Sequence, residues 1–196
     1  MRLLIATHNR GKLIEYRELC ASLPLVLVTL DDVGIRDDIA ETGATFAENA
    51  RLKAATYARQ SGLLTLADDS GLEVDALGGE PGVHSKRYAG DNATDAQRIA
   101  FLLDKLRAVP RDKRGGRFRC VIVVASPQGE LREMEGTCEG EIAFAPRGTN
   151  GFGYDPVFLF PERGVTMAEL TTAEKNRISH RAKAAEKARE VLKGLT

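Results

Sequence analysis

Leu63-Leu64-Thr65-Leu66-Ala67-Asp68-Asp69-Ser70-Gly71-Leu72 is the stretch from which the rest of the chain can be placed. Its apolar first half, residues 63–67, predicts a buried strand. The strand is expected to end at Asp69, where two adjacent carboxylates, a hydroxyl and a glycine arrive together. Side chains of Asp68 and Asp69 point to opposite faces if the strand still holds there, so only one looks into a given cleft. Two readings stay open. Paired acids at the end of a sheet strand can hold a hard cation or deprotonate a water. Alternatively this is a polar turn, in which an Asp accepts backbone N–H bonds and Gly71 takes a left-handed position.

Upstream, residues 2–6 read as a first strand, followed by the polar loop Thr7-His8-Asn9-Arg10-Gly11-Lys12 and a helix with Leu13, Tyr16, Leu19 and Cys20 at helical spacing. Strand, glycine-containing loop and helix is the setting of phosphate-binding loops, because a helix N-terminus offers free N–H groups. The Walker pattern is absent, and a plain capping loop fits equally well. A second strand spans residues 25–30. Glu41-Thr42-Gly43 precedes Thr45-Phe46-Ala47-Glu48, a capping box opening a helix to about Gln60, with Gly62 just beyond it. One stripe of that helix holds Phe46, Asn49, Ala50, Lys53 and Tyr57. Lys53 either snorkels to the surface or reaches toward an anion.

Downstream, residues 78–82 form an irregular loop, and Thr94-Asp95-Ala96-Gln97 caps a helix burying Ile99, Leu102, Leu103 and Leu106. Residues 110–116 read as a basic connection. Residues 118–125 are an apolar strand, Ser126-Pro127-Gln128-Gly129 a turn, and residues 130–138 the returning antiparallel strand. Another strand is expected at residues 140–146. Residues 148–156 form a glycine-rich loop carrying Phe152, Tyr154 and Asp155, and residues 157–160 a short buried strand. Thr171-Thr172-Ala173-Glu174 starts a helix, and a last one runs over residues 180–193 behind Ser179 as N-cap. His180 and Arg181 place cations on that first turn, where the helix dipole disfavours them. Interleaved strands and helices, with a hairpin between them, predict an α/β fold: a mixed twisted sheet flanked by helices.

With 196 residues and 43% apolar content the chain can bury a substantial core. No run approaches the roughly 18 apolar residues a membrane span needs, and the first residues lead straight into strand-like sequence, so a cytoplasmic protein is expected. Lys plus Arg and Asp plus Glu balance at 28 each, without the basic excess of a dedicated nucleic-acid binder. Cys20, Cys120 and Cys138 have no metal-like spacing and read as reduced and structural. His8, His84 and His180 show no zinc pattern. The remaining ligand oxygens belong to Glu41, Asp68 and Asp69. Oxygen ligands with lysines nearby fit Mg²⁺ held partly by phosphate, and Phe152 is a plausible platform for a stacked base. Together they suggest a nucleoside triphosphate pocket.

Thr7-x-Asn9-x-x-Lys12, Glu41-Thr42-Gly43 with Asn49 and Lys53, Asp68-Asp69-Ser70-Gly71-Leu72, Gly151-Phe152-Gly153-Tyr154-Asp155-Pro156, Lys175 and Ser179-His180-Arg181 follow one another in register. In this order they resemble the non-canonical purine nucleoside triphosphate pyrophosphatase family (inosine/xanthosine triphosphate pyrophosphatase, Ham1-like). The resemblance spans nearly the whole chain. It implies a single catalytic domain over residues 1–196 made of two lobes with the active-site cleft between them, a homodimer, and Mg²⁺-dependent hydrolysis of ITP, dITP and XTP to monophosphate and pyrophosphate. Such an enzyme clears deaminated purines from the nucleotide pool. By the resemblance Asp69 is the catalytic proton acceptor and, with Glu41, a metal ligand. Thr7, His8, Asn9, Arg10, Gly11 and Lys12 line the substrate, with Thr7, Asn9, Lys12 and Lys53 on phosphate oxygens. Ser70 touches substrate, Phe152 stacks on the base within the Gly153-Tyr154-Asp155 loop, and Lys175, His180 and Arg181 close around the purine. A Maf-like pyrophosphatase acting on pyrimidine or modified nucleotides, and a nucleotide-binding module without turnover, stand as rivals.

Overall fold

The apolar run before the two acids is the first half of a strand that continues through them. The computed structural model describes residues 1–195. In chain order its elements are β1 (Arg2–Ile5), α1 (Arg10–Leu19), β2 (Val26–Thr29), α2 (Phe46–Ser61), β3 (Leu64–Val74), α3 (Asp95–Lys105), β4 (Gly115–Ala125), β5 (Leu131–Ile142), β6 (Phe158–Phe160), β7 (Val165–Thr166), α4 (Thr172–Ile178) and α5 (His180–Lys193). The seven strands are hydrogen-bonded in the order β2-β1-β3-β4-β5-β6-β7. β1 pairs in parallel with β2 and β3, whereas β6 pairs antiparallel with β5 and β7, so the sheet is mixed as expected.

Two expectations are corrected and one segment gains a role. β3 runs to Val74, so Asp68, Asp69, Ser70 and Gly71 lie on extended backbone and the polar turn is excluded. Leu72 and Val74 are buried, and the side chains they pack keep the strand going past its polar centre. Residues 130–138 and 140–146 are not two strands: β5 is continuous from Leu131 to Ile142. Gly140 sits inside it because a Cβ there would lie 2.7 Å from the Phe158 ring and the Leu159 carbonyl. Finally, the basic connection is not all surface. Arg114 is buried, donating to the carbonyls of Leu106 at 2.9 Å and Ile142 at 2.8 Å.

The helix boundaries follow their capping chemistry. Thr45 Oγ1 accepts from Glu48 N at 3.1 Å and opens α2, while the Glu48 carboxylate accepts from Ala44 N at 2.7 Å. Gly62, at φ 67°, closes α2 in the left-handed region. Full capping boxes open α3 at Thr94 and α4 at Thr171.

The chain forms two compact units. The first holds residues Met1–Asp69, Cys120–Gly136 and the chain from His180 onward; the second holds Ser70–Arg119 and Thr137–Ser179. In the first, Leu3, Ile5, Leu66, Cys120, Ile122 and Val124 from the strands pack with Tyr16 of α1, with Cys20 just beyond it, and with Ala184, Ala185, Ala188 and Leu192 of α5. The alanine face of α5 allows close approach to β5. In the second, Leu72, Val74, Phe118 and Phe158 pack with Ile99 and Leu102 of α3, with Leu106 just beyond it, and with Tyr154, Val157 and Met167. Among the described residues no helix is long and apolar enough to cross a membrane.

Candidate active site

Strand alternation sends the two acids of β3 into different company. On one side Asn49 Nδ2 donates to Asp69 Oδ2 at 2.9 Å, and Lys53 Nζ lies 3.9 Å from Asp69 Oδ1. Lys53 Nζ also bonds Glu41 Oε1 at 2.6 Å. Asn49 and Lys53 share one face of α2 because they stand four residues apart. Lys53 therefore does not snorkel; it joins Glu41 to Asp69. Burial raises the Asp69 pKa; Lys53 opposes that rise and Glu41 reinforces it. For Lys53, burial favours the neutral amine, but Asp69 and Glu41 outweigh it, and its pKa moves up.

On the other side Asp68, 2% exposed, accepts from Lys12 Nζ at 2.9 Å and from Arg181 at 3.4 Å on the same oxygen. The Cys120 thiol approaches that oxygen at 3.6 Å. Arg181, 1% exposed, also donates to Glu15 Oε2 at 2.6 Å. Burial alone would raise the Asp68 pKa, but Lys12, Arg181 and Lys53 hold its carboxyl well below the usual range. The cation on the first turn of α5 thus has its compensation: two buried carboxylates.

The loop before α1 closes on itself. Asn9 Oδ1 caps the helix by accepting from Lys12 N at 3.1 Å, and Thr7 Oγ1 accepts from Asn9 N at 3.2 Å. No acid occupies the first turn of α1, whose Arg10 and Gly11 lead the helix with Lys12 behind them. This is a helix end suited to an anion. His8 Nε2 lies 3.8 Å from Asp38 Oδ1. His180 is buried at the start of α5.

In the second unit the glycine-rich loop is pinned rather than loose. Asp155 Oδ2 accepts from Phe152 N at 2.9 Å and pairs closely with Lys175 Nζ. The same ammonium stands 4.7 Å from the Phe152 ring centroid. Gly151, at φ 75°, leaves room for that carboxylate, which any Cβ would strike. Gly153 N donates to Asp95 Oδ2 at 2.7 Å, and Tyr154 Oη to Ser85 O at 3.0 Å. Ser70 is half-buried in β3.

The structure therefore gathers the expected residues into three sets: Glu41 with Lys53 and Asp69; Lys12 with Arg181 around Asp68; and Phe152 with Asp155 and Lys175. Among the described residues no group of three or more His, Cys, Asp or Glu side chains could hold a metal ion. Glu41 and Asp69 nonetheless fit Mg²⁺, which takes one or two carboxylates and completes its shell with water and phosphate oxygens.

Residues 3–191 match the Ham1 family. The chain belongs to that family. It is 55% identical to a dITP/XTP pyrophosphatase of Geobacillus kaustophilus over 93% of this chain and 89% of that protein. It is 52% identical to a dITP/XTP pyrophosphatase of Thermus thermophilus over 94% and 88%. The solved structure of a HAM1 protein from Coxiella burnetii superposes with a TM-score of 0.90 at 45% identity, covering 99% of each chain. The three sets are supported by residues that the motifs did not single out, namely Glu15 and Gly136. Asn49 stood in the motif without a role. Gly136 is legible only as a glycine inside a strand, a mark of close backbone approach. A Cβ there would overlap the His180 carbonyl and lie 2.5 Å from Ala184 N. Gly136→Ala must push α5 off β5, at a cost of about 1–3 kcal/mol. A fall of several degrees in the thermal midpoint is expected; an unchanged midpoint would mean that the contact is slack.

Proposed function

We propose that this chain is a Mg²⁺-dependent pyrophosphatase that hydrolyses ITP, dITP and XTP to the nucleoside monophosphate and pyrophosphate, removing deaminated purines from the nucleotide pool. The observation that carries the reading is the Glu41–Lys53–Asp69 set, a carboxylate pair joined by an ammonium on the rigid face of α2. The names of the relatives support the purine specificity. Water must attack the α-phosphorus in line while pyrophosphate leaves, so the site has to orient a water and offset charge on the leaving oxygens. Asp69 orients and deprotonates the water. Lys12, Lys53 and the N–H groups opening α1 hold the triphosphate. Glu41 and Asp69 would hold Mg²⁺, which would add positive charge beside the phosphate oxygens. Phe152 takes the base on its ring, on a loop that Asp155 pins through the Phe152 N–H.

The test is a timed assay of pyrophosphate release over ITP, dITP, XTP, ATP, GTP and the pyrimidine triphosphates, with the product nucleotide identified. Equimolar pyrophosphate and monophosphate are expected from the first three, with kcat/KM at least ~10-fold above ATP and GTP, a ratio within reach of binding contacts. EDTA should abolish turnover. Release of orthophosphate, or preference for a pyrimidine nucleotide, would overturn the reading.

A further inference from the structure

The hydrogen-bond chain behind Asp69 begins at a backbone amide. We propose that Asn49 is a positioning residue for Asp69, and that the N–H of Gly43 sets the direction in which Asn49 acts. The inference rests on Asp69 being the carboxylate that takes the proton of water in the proposed reaction. Gly43 N stands 2.8 Å from Asn49 Oδ1, and Asn49 Nδ2 stands 2.9 Å from Asp69 Oδ2. A backbone N–H can only donate, so the atom facing it must be the amide oxygen, and the amide NH₂ is left to face Asp69. The asparagine therefore acts as a donor to the carboxylate, and the chemistry of its neighbour at 43 fixes this.

Asn49 is 0% exposed, so its amide is not an alternative contact for water. Its hold on Oδ2 sets the plane of the Asp69 carboxylate and leaves Oδ1 on the side of Lys53 Nζ, 3.9 Å away. Glycine is needed at 43 for the same reason. A Cβ there would stand 2.6 Å from Glu48 Cβ and 2.8 Å from Asn49 Oδ1, pressing on the amide that aims the acid. Neither Gly43 nor Asn49 touches a reacting atom in this account; both act through Asp69.

The substitutions separate aiming from simple anchoring. Asn49→Asp keeps an acceptor for Gly43 N–H but presents a second carboxylate to Asp69. Asn49→Ala removes both bonds, in a helix that already carries alanines on either side of this turn. Gly43→Ala replaces no side chain of the proposed chemistry and presses a Cβ on the Asn49 amide. Each is compared with the parent and with Asp69→Asn for kcat and KM with ITP, for the calorimetric Kd of inorganic pyrophosphate, and for the thermal midpoint in metal-free buffer. Both Asn49 variants should lose ~10–10²-fold in kcat, the scale of a misplaced catalytic group. KM and the pyrophosphate Kd should stay within about threefold, because the lysines that hold phosphate are untouched. Gly43→Ala should lose about tenfold alone and less than about threefold in the Asn49→Ala background, since both act on one interaction.

If Asp69→Asn is itself as active as the parent, the reading of Asp69 fails and the inference goes with it. If Asp69→Asn is inactive while both Asn49 variants keep kcat within about threefold, Asn49 does not aim the acid, and the inference alone is overturned. It is equally overturned if Gly43→Ala and Asn49→Ala add independently while the thermal midpoint falls in step with activity, for then Asn49 only ties residue 43 to α2. Should Asn49→Asp not fold, the Ala variant and the double-mutant comparison decide.

Discussion

Asp69→Asn is expected to lower kcat for ITP by at least ~10²-fold at saturating Mg²⁺, the low end for losing a positioned acid–base group. The substitution keeps the shape of the side chain and removes its charge, so Lys53 retains Glu41 at 2.6 Å and the phosphate groups keep their cation. Stability should move the other way. The folded pKa of Asp69 is raised, by burial first and by Glu41 besides. A carboxyl raised on folding stabilises the fold only while it is protonated. Its contribution is complete below the ordinary carboxylate value and is lost as pH climbs through the raised folded value. In metal-free buffer above that raised value the parent carries an ionised Asp69 that the fold disfavours, and Asp69→Asn is relieved of it. The variant should melt at or above the parent temperature there, and the gap should close on acidification through that window. Thermal melts at stepped pH, alongside single-nucleotide kinetics, check both halves. A variant with kcat within a few-fold of the parent would remove Asp69 from the chemistry.

That pairing of lost turnover with retained stability was partly visible in the sequence. Alternation along a strand was enough to send Asp68 and Asp69 to different faces, and the spacing of Asn49 and Lys53 was enough to put them on one side of α2. The extent of β3 was not visible, because Asp-Asp-Ser-Gly is also turn chemistry, and only the partners of the two acids show why the strand continues. Those partners come from far along the chain: Asn49 lies 20 residues from Asp69, and Arg181 lies 113 residues from Asp68. Glycines misled for a related reason. Gly140 looks like the start of a separate strand, yet it and Gly136 each mark a place where another segment comes too close for a Cβ. Within the basic connection the role of Arg114 was not legible, because the carbonyls that receive it, Leu106 and Ile142, are supplied by other elements.

Arg181→Ala is expected to destabilise the protein before it changes nucleotide preference. The resemblance sets this residue beside the purine. A cationic donor at C6 would favour inosine over adenine, because an amino group there leaves donors facing each other. In the structure the guanidinium is 1% exposed and donates to Glu15 and Asp68, two carboxylates that are themselves buried. Burial works against the charge, but Glu15 and then Asp68 outweigh it and hold the guanidinium protonated. Removing it takes the countercharge from two buried acids, and breaking a buried ion pair on one side costs about 3–5 kcal/mol. For a chain of this length that is a fall of roughly ten degrees in the thermal midpoint. Lys12 shares its oxygen of Asp68 with Arg181, so activity on all nucleotides should decline together, with the ITP/ATP ratio of kcat/KM changing less than about threefold. Adding Glu15→Gln to Arg181→Ala should return part of the lost stability, because one of the two stranded charges is then gone. Melting curves of the single and double variants, together with kcat/KM for ITP, XTP, ATP and GTP, decide the matter. A single variant that melts like the parent while its ITP/ATP ratio shrinks about tenfold would show that the guanidinium leaves Glu15 and Asp68 to serve the base, at the ~1–3 kcal/mol of an unsatisfied polar group.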